Sequence, residues 1–444
     1  MVHQMMNRSM SKAPSASSNN RVMAALTGWW RQARRAGSVG LIVGTLAGCA
    51  VSPPVETPRA PVELPPVTVD TPPPSTVPAA PTATVSLDET WPPPVVLPDH
   101  PAWAWADSQP LPPPIQRGKS VWQPVRWTDL PGWGRDRLPD AWNAWLRSCE
   151  RPAPAIGALC AEVRRLSIAS PAEQHDWIMR RLQPYRVQAP DAPVPGLLTG
   201  YYEPIMPARR VSDAVHQTAL YSLPPTVRPG QPWFTREQMA TDPGAQAQLH
   251  GREIAWLADP LDALLLQIQG SGRLVVTEPD GQTRTVRLAF AGHNSHPYRS
   301  VGRWLLDRGW IRDGTWEAIR AWAIQNPDRL NEMLWSNPRM VFFREEPLNE
   351  LDAQFGPRGA QGVALTPGRS IAVDRESIPY GTPVWMHSPG PFAHVRRLVL
   401  AQDTGAAIVG AVRADFFTGW GDEAYTLAAG IKQPLQMWAL WPRP

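Results

Sequence analysis

The sequence predicts a mainly β protein with flanking helices, its C-terminal part closing as a small barrel. Three observations support this. Short β-rich runs at residues 371–374, 383–386, 395–401 and 407–413 alternate with Gly/Pro turns, a spacing that suits a barrel. Two more β-rich runs, 272–277 and 283–290, are joined by Pro279-Asp280-Gly281, a hairpin signal. Helical periodicity lies outside these segments: Leu138, Trp142, Trp145 and Cys149 recur on one face before Pro152 and Pro154.

Taken in order, the chain opens with a leader. Arg31, Arg34 and Arg35 precede the apolar run 39–47, and Leu46-Ala47-Gly48-Cys49 follows. A basic flank, a short apolar core and small residues before a cleavage point make a secretory signal at 1–48, too short for a spanning helix. Residues 46–49 resemble a bacterial lipobox. That resemblance implies that Cys49 is lipidated and becomes the mature N-terminus. Ala50, standing where Asp would mark inner-membrane retention, implies the periplasmic face of the outer membrane. Residues 49–117 read as a Pro-rich disordered linker. Of the chain's 53 prolines, 20 lie between 51 and 117, and proline removes donors and favours an extended backbone. At roughly 3 Å per residue this tether reaches at most about 200 Å.

Further helical stretches are expected at 172–182, 300–307 and 316–325, and residues 196–210 read as strand and turn. Net charge of +4 with dispersed arginines carries no nucleic-acid signature. Beyond Cys49 only Cys149 and Cys160 remain. In an oxidising compartment they form either a disulfide or two buried thiols. Their spacing is not that of a metal site.

The chemistry concentrates in residues 402–421, QDTGAAIVGAVRADFFTGWG, where Asp403 and Asp415 share one Gly-rich, apolar stretch. Apolar surroundings raise a carboxyl pKa and let it donate a proton near neutrality. A glycosidase commonly needs two carboxyl groups, and the competing assignment is a pair of turn or surface carboxylates. Other features carry less. His293 and His296 form an H-x-x-H without a third ligand at metalloprotease spacing, and Asn294 and His293 are expected to hold a loop or meet a polar ligand. Ser271, between Gly270 and Gly272, does not fit the nucleophile elbow. Tyr201, Tyr202 and Glu203 form a polar-aromatic cluster suited to a cleft or to strand packing. Most of the 22 tryptophans are expected in core or linker positions.

Several blocks occur together and in order: LLTGYYEP (197–204), LQIQGSGRL (266–274), AGHNSHPYRSVGR (291–303), GVALTPGRSIAVD (362–374), IPYGTPVW (378–385) and the 402–421 segment. This set resembles the membrane-bound lytic murein transglycosylase A family. The resemblance implies a double-psi β-barrel built from residues 118–205 and 339–444, with residues 206–338 as an inserted β domain and a glycan groove between. It implies that Asp415, in the R-x-D-x-F motif, is the acid and base and that Asp403, in D-T-G, supports it. Substrate-binding positions are then expected at Thr199, Tyr201, Tyr202, Glu203, Gln269, Ser271 and Asn294. The implied reaction cleaves the MurNAc–GlcNAc β-1,4 bond of peptidoglycan without water and leaves 1,6-anhydro ends. It needs no cofactor and no metal. Peptidoglycan strands, outer-membrane lipid through Cys49 and a cell-wall synthesis complex are the implied partners.

The chain departs from the family pattern at Arg339 and Met340, where Ser and Tyr are usual, and at Ser295, Ala406 and Thr418. Two other classes remain as alternatives: a hydrolysing muramidase with Asp403 as the second carboxylate, and a noncatalytic peptidoglycan-binding lipoprotein.

Overall fold

The helix Pro101–Ser108 is the first element of the computed structural model, which describes residues 100–191 and 196–443. The described residues belong to one unit, Pro74–Pro444; a separate unit, Met1–Pro73, lies outside them. The leader, Cys49 and the linker up to residue 99 are therefore outside the described residues. The rest of the linker differs from expectation. Pro101 occupies the first helical turn, where a missing N–H costs nothing, and His100 caps the helix by accepting from the Ala102 N–H. Trp103 and Ala106 are buried in a core cluster. Among the described residues, helix thus starts at Pro101, inside the stretch expected to be linker.

Strands β1 (Ile115–Gln116) and β2 (Val121–Pro124) lead into the helix Leu138–Ser148. Cys149 and Cys160 are joined by a disulfide, Cα atoms 5.5 Å apart, which resolves the alternative left open by the sequence. The helix Pro171–Arg181 starts at a Ser170/Glu173 capping box. Trp103, Trp142, Trp145 and Trp177 from these helices pack with Trp385 and Trp438 of the barrel. Aromatic composition has gone into a cap on one side of the barrel.

Two strands follow, β3 (Leu182–Gln188) and β4 (Gly196–Glu203), and then the chain leaves the barrel at Pro204. It builds a second sheet from β5 (Ile205–Arg209), β6 (Thr218–Tyr221), β7 (Glu253–Leu257), β8 (Gly272–Thr277), β9 (Thr283–His293) and β10 (Val341–Pro347), in the order β10-β9-β8-β5-β7-β6. The β8–β9 hairpin and the helices Val301–Asp307 and Trp316–Gln325 stand where the sequence placed them. The return point does not. Strand β10 pairs along its whole length with β9, so 341–347 belongs to the second sheet and the crossing back follows Pro347.

The remaining strands are β11 (Ser370–Val373), β12 (Pro383–Ser388), β13 (Val395–Asp403), β14 (Arg413–Trp420) and β15 (Lys432–Pro442). The first sheet runs β1-β2-β3-β15-β12-β13-β11-β14-β4, and a β15–β4 pairing closes its last six strands into a barrel. Two neighbour pairs are parallel, β11 with β13 and β14 with β4; the others in the ring are antiparallel. This is the double-psi type of barrel that the resemblance implied.

The expected strand at 407–413 is absent. Residues 404–412 form a loop, and pairing resumes at Arg413. The AAIV run is apolar but not alternating, and Gly410 at φ 114° turns the chain. Gly200 has the opposite role. A Cβ there would lie 2.6 Å from the Ala428 Cα, so only glycine lets the helix Gly421–Gly430 press against β4.

Candidate active site

Strand β11 sits between β13 and β14, and Ala372 is in register with Asp403 on one side and Asp415 on the other. Asp415 is in turn in register with Thr199 on β4. Paired residues project to the same face, so Asp403, Ala372, Asp415 and Thr199 form one row across four strands. The two aspartates stand two strand spacings apart, about 10 Å between Cα atoms. The small methyl of Ala372 leaves the space between them open.

A bulge creates this row. The β11–β13 register shifts between Ile371 and Ala372, skipping Gln402 and bringing Asp403 opposite Ala372. Gln402 faces away and is fully buried, donating to the Ala144 carbonyl and the Ser148 hydroxyl at 2.8 Å each. Without the bulge the amide would occupy the carboxylate's place.

Asp403, Ala372 and Asp415 line a cavity of about 740 Å³; Thr199, expected at the substrate, stands behind Asp415 and does not line it. Tyr201, Ala372, Asp403, Arg413 and Asp415 form its barrel side, and the helix Pro260–Gln269, β9 and the segment 337–341 form its opposite side. Among the described residues no tryptophan lines it; Tyr201, Tyr298 and Phe290 are its aromatic residues.

The two carboxyl groups differ in their partners. Asp403 has both oxygens occupied: Oδ1 accepts from the Ala360 N–H at 2.9 Å, and Oδ2 from the Tyr201 hydroxyl at 2.9 Å. Burial nevertheless raises its pKa to about 6, against the opposing pull of the Thr404 and Ala360 N–H groups and the Tyr201 hydroxyl, with repulsion from Asp415 a lesser contributor. Tyr201 is held well above the usual phenol range, chiefly by burial, so it stays a proton donor to Asp403. Asp415 is bound at one oxygen alone, Oδ1, which accepts from the Thr199 hydroxyl at 2.5 Å. Burial raises its pKa as well, opposed by Thr199 and the Arg413 charge. Thr199 accepts from Arg413 Nη2 at 2.8 Å, so its only proton is directed at Asp415. Among the described residues Asp415 Oδ2 has no partner and is free to address a ligand.

The other expected site residues divide. Gln269 and Ser271 line the cavity, with Gln269 Oε1 accepting from the Tyr202 N–H at 3.2 Å. Glu203 does not line it. Its carboxylate is fully buried between Arg273 and Arg287, at 2.8 and 2.7 Å, and ties the end of β4 to β8 and β9. Asn294 is fully buried too, donating to the Phe234 and Pro338 carbonyls and accepting from the Met340 N–H; it pins the loop after β9 and has no group left for substrate. Tyr202 packs on Tyr425, Ala424 and Ala428 away from the cavity. Of the histidines, His293 lines the cavity with Nδ1 accepting from the Ser295 N–H, and His296 Nε2 bonds the Trp233 carbonyl. Sequence reasoning did not single out Arg413, although it begins the R-x-D-x-F motif. Nor did it find Arg236, Gln267 or the Ala360 N–H, whose places depend on distant packing.

The fold and site together define a two-domain protein: a closed barrel, split by an inserted β domain, with an acidic row facing the cavity they share. A model described as the "MltA specific insert domain" matches residues 197–344, and one described as the "3D domain" matches 369–441. The membrane-bound lytic murein transglycosylase A of Escherichia coli K12 is 32% identical over 257 residues, covering 55% of this chain and 66% of that protein's length. Among solved structures, the lytic transglycosylase LtgG of Burkholderia pseudomallei is 37% identical, covering 82% of this chain and 100% of its own, with a TM-score of 0.50. A membrane-bound lytic murein transglycosylase from Agrobacterium tumefaciens is 29% identical over 72% and 98% of the two chains, with a TM-score of 0.62. The chain belongs to the membrane-bound lytic murein transglycosylase A family.

Proposed function

We propose that this protein is a lytic transglycosylase that cleaves the MurNAc–GlcNAc β-1,4 bond of peptidoglycan and leaves 1,6-anhydro-MurNAc ends. Asp415 serves as the single acid and base. The observation that carries this reading is the asymmetry of the two aspartates: Asp403 has both oxygens engaged, while Asp415 keeps Oδ2 open to the cavity.

The chemistry follows from that asymmetry. Because the Thr199 hydroxyl donates to Oδ1, a proton held by Asp415 resides on Oδ2, and burial favours that protonated form, opposed by Thr199 and the Arg413 charge. Oδ2 protonates the glycosidic oxygen as the bond to C1 breaks and positive charge develops at the anomeric carbon. The carboxylate left behind is stabilised by the Thr199 hydrogen bond and the Arg413 charge. The 6-hydroxyl of the same sugar then attacks C1 and returns its proton to Oδ2, so the acid is regenerated and no water is consumed. An intramolecular nucleophile gains from proximity, and one carboxyl suffices where a hydrolase needs two. Asp403, tied down by Tyr201 and Ala360, acts by shaping the row. Anchoring through Cys49 to outer-membrane lipid and association with a cell-wall synthesis complex belong to the same reading, carried by the lipobox-like leader and the family resemblance.

The test is digestion of purified peptidoglycan with the full chain, followed by mass spectrometry of the new sugar ends. Ends lighter by one water than reducing ends support the transglycosylase. Reducing ends would make it a muramidase, and no release would make it a binder.

A further inference from the structure

Among the residues lining the cavity are six arginines and two aspartates, with no lysine or glutamate. Four of the arginines have evident settings. Arg344 is ion-paired with Glu346 at 2.8 Å, Arg413 serves Thr199, and Arg151 and Arg358 are exposed at the rim. Arg236 and Arg339 differ. Both are half-buried and neither has an acidic partner among the described residues.

Their neutral contacts hold them in place. Arg236 donates from Nε to the Asn337 carbonyl at 3.1 Å, and from Nη2 to Gln267 Oε1 at 2.5 Å and the Arg339 carbonyl at 2.7 Å. Its Nη1 has no partner among the described residues. Arg339 donates from Nη1 to the His296 carbonyl at 3.1 Å, leaving Nε and Nη2 without one. Burial lowers the pKa of both, that of Arg236 to about 10, and a guanidinium stays charged at neutral pH. Two half-buried cations with unused donors and no acidic partner among the described residues are costly, and an anion beside them would relieve that cost. The guanidinium fork matches a carboxylate, and a fork already fixed by protein oxygens loses little freedom on binding. Arg339 also occupies a position where the family pattern has serine, so this charge is a feature of this chain.

We propose that Arg236 and Arg339 form an anion subsite in the cavity wall that takes a carboxylate carried by the glycan strand, an inference that rests on the cavity being a glycan site. Two sources supply that chemistry: the lactyl carboxylate of a peptide-free strand, and the carboxylates of an attached peptide.

The test uses the full chain carrying Asp415→Asn, so that ligand is bound and not cleaved. Calorimetry compares a peptide-free peptidoglycan fragment, the same fragment with its peptides, and a neutral N-acetylglucosamine oligomer of equal length. Adding Arg339→Ser weakens binding of a carboxylate-bearing fragment about tenfold, roughly 1.4 kcal/mol, and of the neutral oligomer less than twofold. Whichever fragment suffers the loss identifies the source. Arg339→Lys, which keeps the charge without the fork, gives an intermediate loss and guards against misfolding as the cause. Equal effects on all three ligands, or none, overturn the subsite while leaving the glycan reading intact. If no ligand binds the parent, the neutral oligomer included, both fall.

Discussion

Replacing Asp403 by Asn should stabilise the protein at neutral pH, and the size of the effect follows from the carboxyl's setting. Its pKa is about 6 in the folded protein against 3.8 for a free aspartate. The folded state therefore binds this proton more tightly than the unfolded state, so the group favours folding at low pH and that contribution is lost as pH rises from about 4 through about 6. At 1.36 kcal/mol for each tenfold change, ionisation costs at most ~3 kcal/mol by pH 8. Partial solvent access reduces this, and we expect 1 to 3, on the order of a typical single-site effect. Asparagine keeps the local geometry, since Oδ1 can accept from the Ala360 N–H while Nδ2 donates to the Tyr201 oxygen. Urea denaturation of wild type and Asp403→Asn, followed by tryptophan fluorescence between pH 4 and 8, measures the difference. It should be near zero at pH 4 and grow through pH 6 in favour of the variant. A variant less stable at pH 8, or a difference flat with pH, would refute the reasoning and show that the hydrogen bonds to Asp403 outweigh its burial.

Two further outcomes are expected. Glu203→Gln removes the counter-charge shared by Arg273 and Arg287, which are nearly inaccessible to solvent, and should cost about 3 to 5 kcal/mol; a change in KM for peptidoglycan without loss of stability would return Glu203 to the substrate. Ser295→Gly should raise stability by about 1 kcal/mol, because Ser295 has a φ of 58° and is the only non-glycine residue at positive φ among those described. An unchanged or lower melting temperature would show that the serine hydroxyl compensates for the strain.

Local signals were legible where they were complete. The β8–β9 hairpin had its turn residues, and the helix Trp316–Gln325 had Pro327 beyond its end. The strand expected at 407–413 failed because apolar content was read without alternation. Strand β10 was assigned to the barrel because nothing local distinguishes an apolar run paired with β9 from one paired with a barrel strand. The two aspartates were legible as a pair, but their arrangement was not. It depends on the four-residue β11, about thirty residues upstream of Asp403, inserting between their strands with a bulge at Gln402 opposite it. Glu203 shows the same limit from the other side. Its neighbours in GYYEP suggested a cleft, while the arginines that neutralise it lie 70 and 84 residues further along the chain.

If Asp415 alone transfers the proton, its conversion to asparagine removes catalysis while leaving the glycan site intact. The assay is the rate of anhydro-end release from peptidoglycan, measured beside binding of a glycan fragment. General acid–base catalysis contributes about 10² to 10⁴ in rate, and an asparagine cannot supply any of it. Asp415→Asn should lose at least that factor with binding retained, while Asp403→Asn keeps measurable turnover. Near-wild-type release by Asp415→Asn, or inactivity confined to Asp403→Asn, would contradict it.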